Sequence, residues 1–292
     1  MTDGYRALKE DVAAVELPRD VLRVAGADAA AFLQGQLSQD LDTLPVRIGS
    51  SADALLLQPA GKVEALVRVS RWTEGALLLD VDAGWGEAVE ARLRRFLLRM
   101  DVTIERLAWR CLALRGPRAH EVDPGALALA ADWPGWPGVD LLGDPPPVPE
   151  GVPSATADDY EAARIEAGVP RMGAELDERT IPAEAGVVER SVSFTKGCFV
   201  GQELVARIDS RGGNVPRHLR GLVLEGDEVP PVGAAVVAGD REVGRVTSAA
   251  RSPARGPVAL AYLGRAVEVP ATVAVRWDGG GAAAEARALP LD

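Results

Sequence analysis

Lys196-Gly197-Cys198-Phe199-Val200-Gly201-Gln202-Glu203, continuing as LVARIDSRGG, is the stretch of this 292-residue chain from which the rest is best read. Two glycines bracket the cysteine, so the backbone there can turn tightly and come close to a ligand or partner. Gln202–Ile208 has the composition of a helix, which sets Cys198 just ahead of a helix N-terminus. Unpaired N–H groups and the positive dipole end favour thiolate over thiol at such a place, and Lys196 adds a cation two residues away. Those are conditions for a nucleophile or a soft metal ligand. A small buried hydrophobe is the bland alternative, and spacing alone leaves both open. Cys111 lies in an alternating apolar strand and reads as core.

Outward from the motif the charge changes sign. Residues 196–220 hold Lys196, Arg207, Arg211, Arg217 and Arg220 against Glu203 and Asp209, about +3 inside a chain of net charge −11. A basic pocket in an acidic protein suits a small anion, and a solvated loop is the other reading. The acidic whole argues against direct nucleic-acid or membrane-surface binding, because phosphates would be repelled. No apolar run reaches spanning length, and MTDGYRALKEDVAAVE has no signal-peptide core, so a cytoplasmic protein is expected.

The 47% hydrophobic and 26% charged content is that of a globular chain, and its length suggests about two domains. Val21–Val24, 53–57, 63–70, 76–81 and 107–114 read as strands. Ala29, Leu33, Leu37 and Leu41 form a helical stripe, and 86–99 is an amphipathic helix. Asp158, with Glu161 three residues on, signals the start of a helix that Gly168 and Pro170 end. Residues 133–153 (WPGWPG, GDPPPVPEGVP) read as a long surface loop or linker, unfit for helix or central strand. From Leu219 onward, strands at 219–224, 234–238, 242–248, 257–263 and 271–277 point to a small β-barrel or sandwich. An α+β body followed by a β module is the fold expected.

Several chemistries are absent from the pattern. With two Cys and two His and no C-x-x-C, H-x-x-x-H or H-E-x-x-H, no metal site is expected, and no permanent iron–sulphur cluster. There is no P-loop, no G-x-G-x-x-G and no G-x-S-x-G.

KGCFVGQE resembles the signature of the YgfZ family, folate-binding proteins related to the T-protein aminomethyltransferase of the glycine cleavage system. The likeness runs in order through 22–41, 58–65, 164–176, 181–203 and 211–224. It implies a three-lobed, aminomethyltransferase-like folate-binding fold. Two interleaved α/β lobes would occupy 1–215, with boundaries near 20 and 105, and a C-terminal β-barrel would occupy 216–292. Tetrahydrofolate is the implied cofactor. Iron–sulphur client or assembly proteins are the implied partners, with effects on tRNA modification through such enzymes. Carried over by motif, Cys198 and Lys196 are the catalytic candidates. Glu166, Arg217, Gly197, Gly201, Gln202 and Glu203 are the folate-binding ones, Glu166 as the carboxylate that pairs with the pterin edge. Two alternatives stand beside this: a folate-dependent aminomethyl or one-carbon transferase, and a non-catalytic folate-responsive scaffold. Against transfer, Asp82-Ala83 begins the segment where the aminomethyltransferases have Asn-Ala, and Val89 takes the place of the acid seven residues on. Phe199 replaces the commoner Tyr of the motif.

Overall fold

In the computed structural model, which describes residues 2–291, the chain opens with helix α1 (Asp3–Glu10) and strands β1 (Ala13–Leu17) and β2 (Arg19–Ala25). There follow α2 (Ala29–Gln36), β3 (Ser51–Leu57), β4 (Val63–Thr73), β5 (Ala76–Asp82), α3 (Gly86–Phe96), β6 (Thr103–Leu107) and β7 (Arg110–Arg115). Next come β8 (Leu127–Ala130), β9 (Gly138–Gly143), α4 (Ala157–Ala167), α5 (Val188–Ser191) and α6 (Gln202–Asp209). Six strands end the chain: β10 (Arg217–Leu224), β11 (Ala235–Ala238), β12 (Arg241–Ser252), β13 (Gly256–Gly264), β14 (Ala271–Trp277) and β15 (Gly280–Arg287).

Two antiparallel sheets make the body. One runs β3-β4-β5-β2-β6 and the other β1-β7-β9-β8. Strand β5 lies between two packed layers, and its sequence ALLLDVD shows why it can. Leu77, Leu79 and Val81 join the core beneath α2 and α3, with Phe32, Leu33, Val89 and Leu93. Leu78, on the opposite face, packs with Cys111, Leu129 and Leu142 of the second sheet. Because side chains alternate along a strand, Asp80 and Asp82 share the face of Leu78 and point toward the second sheet. Those two carboxylates start the site described below.

The proline-rich stretch departs from expectation. Residues 133–153 were expected to form a surface loop, yet they contain β9, an interior strand bonded to both β7 and β8. Gly138-Val-Asp-Leu-Leu-Gly143 is free of proline, and its central residues are buried. The prolines fall outside the strand, where no ladder N–H is lost.

The cap of α4 falls two residues before the expected Asp158. Thr156 is that cap, exchanging bonds with Asp159 in a capping box. Its end is where the sequence puts it: Gly168 has φ +74°, and a Cβ there would stand 2.8 Å from Leu289. The C-terminal strands close a barrel in the order β10-β13-β12-β11-β14-β15. Its sixth strand, GGAAAEAR, carries little β-propensity, and pairing with both β14 and β10 holds it. The architecture is thus an α+β body with a six-stranded C-terminal barrel. Among the described residues no helix is long and apolar enough to cross a membrane.

Candidate functional site

A cavity of about 650 Å³ opens between the two sheets, α4 and the loop after it. Its polar wall is a ladder of alternating charge. Arg19 donates to Asp82 at 2.7 Å and to Asp80 at 2.6 and 2.9 Å. Arg68 donates to Asp80 at 2.9 and 3.0 Å and pairs with Asp140 at 2.8 Å. Arg115 closes the ladder on Asp140 at 2.7 Å. Strand register builds it: Arg19 lies opposite Asp82 and Arg68 opposite Asp80, while Asp140 is diagonal to Arg115 across β7 and β9.

Three guanidiniums and three carboxylates cancel, so the wall is polar without net charge. Burial alone would raise the Asp140 pKa, but Arg115 and Arg68 outweigh it and hold the carboxyl well below its usual range. Burial pushes the nearby Cys111 thiol up, and Asp140 adds to the effect, so this cysteine stays a thiol. Asp82, 27% exposed, is the rung that reaches the opening. Its second oxygen accepts the Met172 N–H at 2.9 Å and draws the loop after α4 onto the wall.

The facing wall is α4. Tyr160, Glu161 and Arg164 line the cavity at helical spacing. Arg164 donates to both Glu161 oxygens at 2.7 and 2.8 Å, and Arg171 reaches one at 3.4 Å. Burial opposes ionisation of Glu161, yet these arginines hold its pKa below the ordinary value. At the rim Arg190 lies over the Trp133 ring at 3.9 Å and donates to Asp53 at 2.7 Å.

Glu166 is not among the lining residues. Two residues beyond Arg164 is a rotation of about 200° around a helix, which turns it to the opposite side. There it is 1% exposed, accepts the Tyr5 hydroxyl at 2.7 Å and pairs with Lys9 at 3.0 Å. Glu166 therefore fastens α1 to the back of α4.

The motif cysteine occupies a different place. Cys198 is exposed on a short arc three residues before Gly201, the N-cap of α6. Gly201 has φ +82°, and a Cβ there would stand 2.5 Å from the Gln58 carbonyl, so only glycine lets α6 start against that turn. Gln202 is the first residue of α6, Glu203 is exposed, and Gly197 has open space around it. Lys196 does not reach toward the sulphur as expected. Its ammonium donates to the carbonyls of Gln34, Leu37 and Gln39 at 2.6, 2.7 and 2.8 Å. Burial pushes its pKa down to about 8, with Asp40 and Asp42 pulling the other way.

Nor do the cations of 196–220 converge. Arg217 donates to Glu184 at 3.1 Å and lies 4.2 Å over the Tyr262 ring. Arg220 donates to the Leu219 carbonyl, while Arg207 and Arg211 are exposed. Arg217 and Arg220 are answered locally and Arg207 and Arg211 face solvent, so these cations do not gather into one pocket. Of the residues singled out by motif, Asp82 and Ala83 line the cavity, and Cys198, Lys196, Glu166, Arg217, Gly197, Gly201, Gln202 and Glu203 do not. The ladder has no local motif, and its one signal in the sequence is the pair of aspartates at alternate positions of an apolar strand, Asp80 and Asp82.

Residues 217–292 match the family described as the glycine cleavage T-protein C-terminal barrel domain. The chain is 30% identical over 272 residues to an aminomethyltransferase of Rubrobacter xylanophilus, covering 82% of this chain and 72% of that protein. The chain belongs to the aminomethyltransferase family. It is also 30% identical over 235 residues to the mitochondrial iron-sulfur cluster assembly factor IBA57 of Mus musculus, covering 71% of this chain and 65% of that protein. The fold is shared with the crystal structure of glycine cleavage system aminomethyltransferase T from Bartonella henselae. The TM-score is 0.82 at 21% identity, over 99% of this chain and 88% of that one. In this aminomethyltransferase-family chain Val89 is 2% exposed, on the inner face of α3 in the core and off the cavity wall.

Proposed function

We propose that this chain is a YgfZ-type member of the aminomethyltransferase family. It binds a reduced folate in the central cavity and serves the assembly or repair of iron–sulphur proteins through Cys198, acting on tRNA modification through such enzymes. The observation that carries the reading is the pairing of an exposed Cys198 ahead of α6 with a buried Val89 in the acid's place. Similarity to the mouse iron-sulfur cluster assembly factor supports it.

The cavity fits a folate. Its volume falls in the ~300–1,000 Å³ span of small-molecule sites. Trp133 and Tyr160 offer flat faces to a ring, Glu161 and Asp53 offer carboxylates to N–H edges, and Arg171 offers a cation to a carboxylate tail. Bound there, the folate supplies a carrier for a one-carbon unit. The ladder holds its dipoles fixed in the wall, so binding needs no reorganisation of those groups. Cys198 lies outside the lining and remains open to a client protein, whose cluster or sulphur is cargo rather than a resident cofactor.

Titration with tetrahydrofolate and its formyl and methylene forms tests the first half. Saturable binding, weakened by Glu161→Gln, is expected, and no saturation at millimolar ligand would end the folate reading. Restoration of iron–sulphur enzyme activity in cells lacking the protein tests the second: wild type restores it and Cys198→Ser does not. Aminomethyl transfer is the second reading, favoured by the Rubrobacter relative. With Val89 where an acid is needed, no methylene transfer from an aminomethyl-lipoyl carrier is expected.

A further inference from the structure

An ammonium has three N–H donors and no acceptor. In Lys196 all three are matched by the carbonyls of Gln34, Leu37 and Gln39. Gln34 is in the last turn of α2, and Leu37 is its C-cap. Carbonyls at that end have no partner inside the helix and lie at the negative end of its dipole, so a cation is the complement they call for. The arc that carries Cys198 has few other ties. Upstream, Ser193 N–H bonds the Ser38 carbonyl and the Ser38 hydroxyl bonds the Ser191 carbonyl. Downstream, Phe199 is buried at 7% exposure. Among the described residues, 194–198 make no backbone–backbone hydrogen bond, and Phe194 and Cys198 are exposed.

We propose that Lys196 is a positioning residue: the carbonyls of Gln34, Leu37 and Gln39 form a seat for its ammonium, and the filled seat fixes where the Cys198 sulphur is presented. The head group is held 2.6–2.8 Å from three acceptors and lies 5.5 Å over the Phe199 ring, so it closes the middle of the arc against α2. With its donors occupied, Lys196 has none left for the thiol, and its effect on Cys198 passes through the backbone between them. Arginine is a poor substitute, because a planar fork does not match three carbonyls converging on one point.

The inference does not depend on folate binding or on the client, since its readouts concern only the arc. A nitroxide attached to Cys198, with buried Cys111 unlabelled, reports arc motion by its spectrum. Lys196→Ala is expected to shift the spectrum to the fast-motion form, and to speed chymotryptic cleavage after Phe194 by about 10- to 100-fold. Ethylammonium, with three N–H donors, is expected to restore both. Tetramethylammonium, of the same charge but with no donor, is expected to restore neither. Lys196→Gln, with two donors, gives an intermediate spectrum and provides a second variant should the alanine protein not fold. An unchanged spectrum in both variants, or equal rescue by both cations, overturns the seat.

Discussion

Asp80, buried behind the cavity wall, holds two guanidiniums; Cys198, on its arc, is exposed and is steadied by one lysine that never touches it. Both regions place polar groups with care, by different means. The wall is written into strand register, so each charge is placed by the ladder of backbone bonds around it. The arc is placed by a single side chain reaching another element. Rigidity on the wall thus comes from many redundant constraints, and on the arc from one removable contact.

That contrast can be broken most directly at the ladder. Asp80→Asn leaves Arg19 and Arg68 buried beside an amide, and is expected to cost about 3–5 kcal/mol in urea unfolding. A loss below about 1 kcal/mol, the worth of an exposed pair, would show the wall to be no more constrained than the surface. Glu166→Ala comes next, at about 1.5–3 kcal/mol, because it removes the acceptor of the buried Tyr5 hydroxyl and the partner of Lys9. Folate affinity is expected to hold in that variant; a large fall would return Glu166 to the binding site.

The pH dependence follows from Asp140. Its folded-state pKa is depressed, so its contribution to stability is present above the unfolded carboxylate range and lost as pH falls through the folded value. Unfolding free energies measured from neutral to strongly acid pH are expected to decline, and the decline should be shallower in Asp140→Asn. The smallest effect belongs to the arc: Cys198→Ser is expected to change stability by no more than about 0.5 kcal/mol. Equal destabilisation at Cys198 and Asp80 would erase the distinction between the two regions.

The same contrast explains what could be read from the chain. Strands of the barrel show as short apolar runs between Gly and Pro, and the end of α4 shows in Gly168-Val169-Pro170, because those signals are local. Strand β15 lacks them, being mostly Ala and Gly, and β9 is masked by prolines on both sides. The site is harder. Arg19 and Asp82 are 63 positions apart, and Lys196 and Gln34 are 162 apart, so neither pairing exists until the fold does. Motif resemblance singled out Cys198, whose exposure only the fold shows, and it assigned Glu166 to a face that the periodicity of α4 turns away from the cavity.

The way β1 joins its sheet also bears on how the protein is made. Ala13 pairs with Arg115 and Leu17 with Cys111, so β1 waits for a strand emerging about a hundred residues later. At roughly 5–20 residues per second, a ribosome leaves that edge unpaired for about 5–20 s. During that interval Ala13-Ala14-Val15 is an apolar strand without a neighbour, the kind of segment that chaperones hold and aggregates recruit. Biogenesis of this protein is therefore exposed to failure at β1, whose Val15, Glu16 and Leu17 go on to line the cavity.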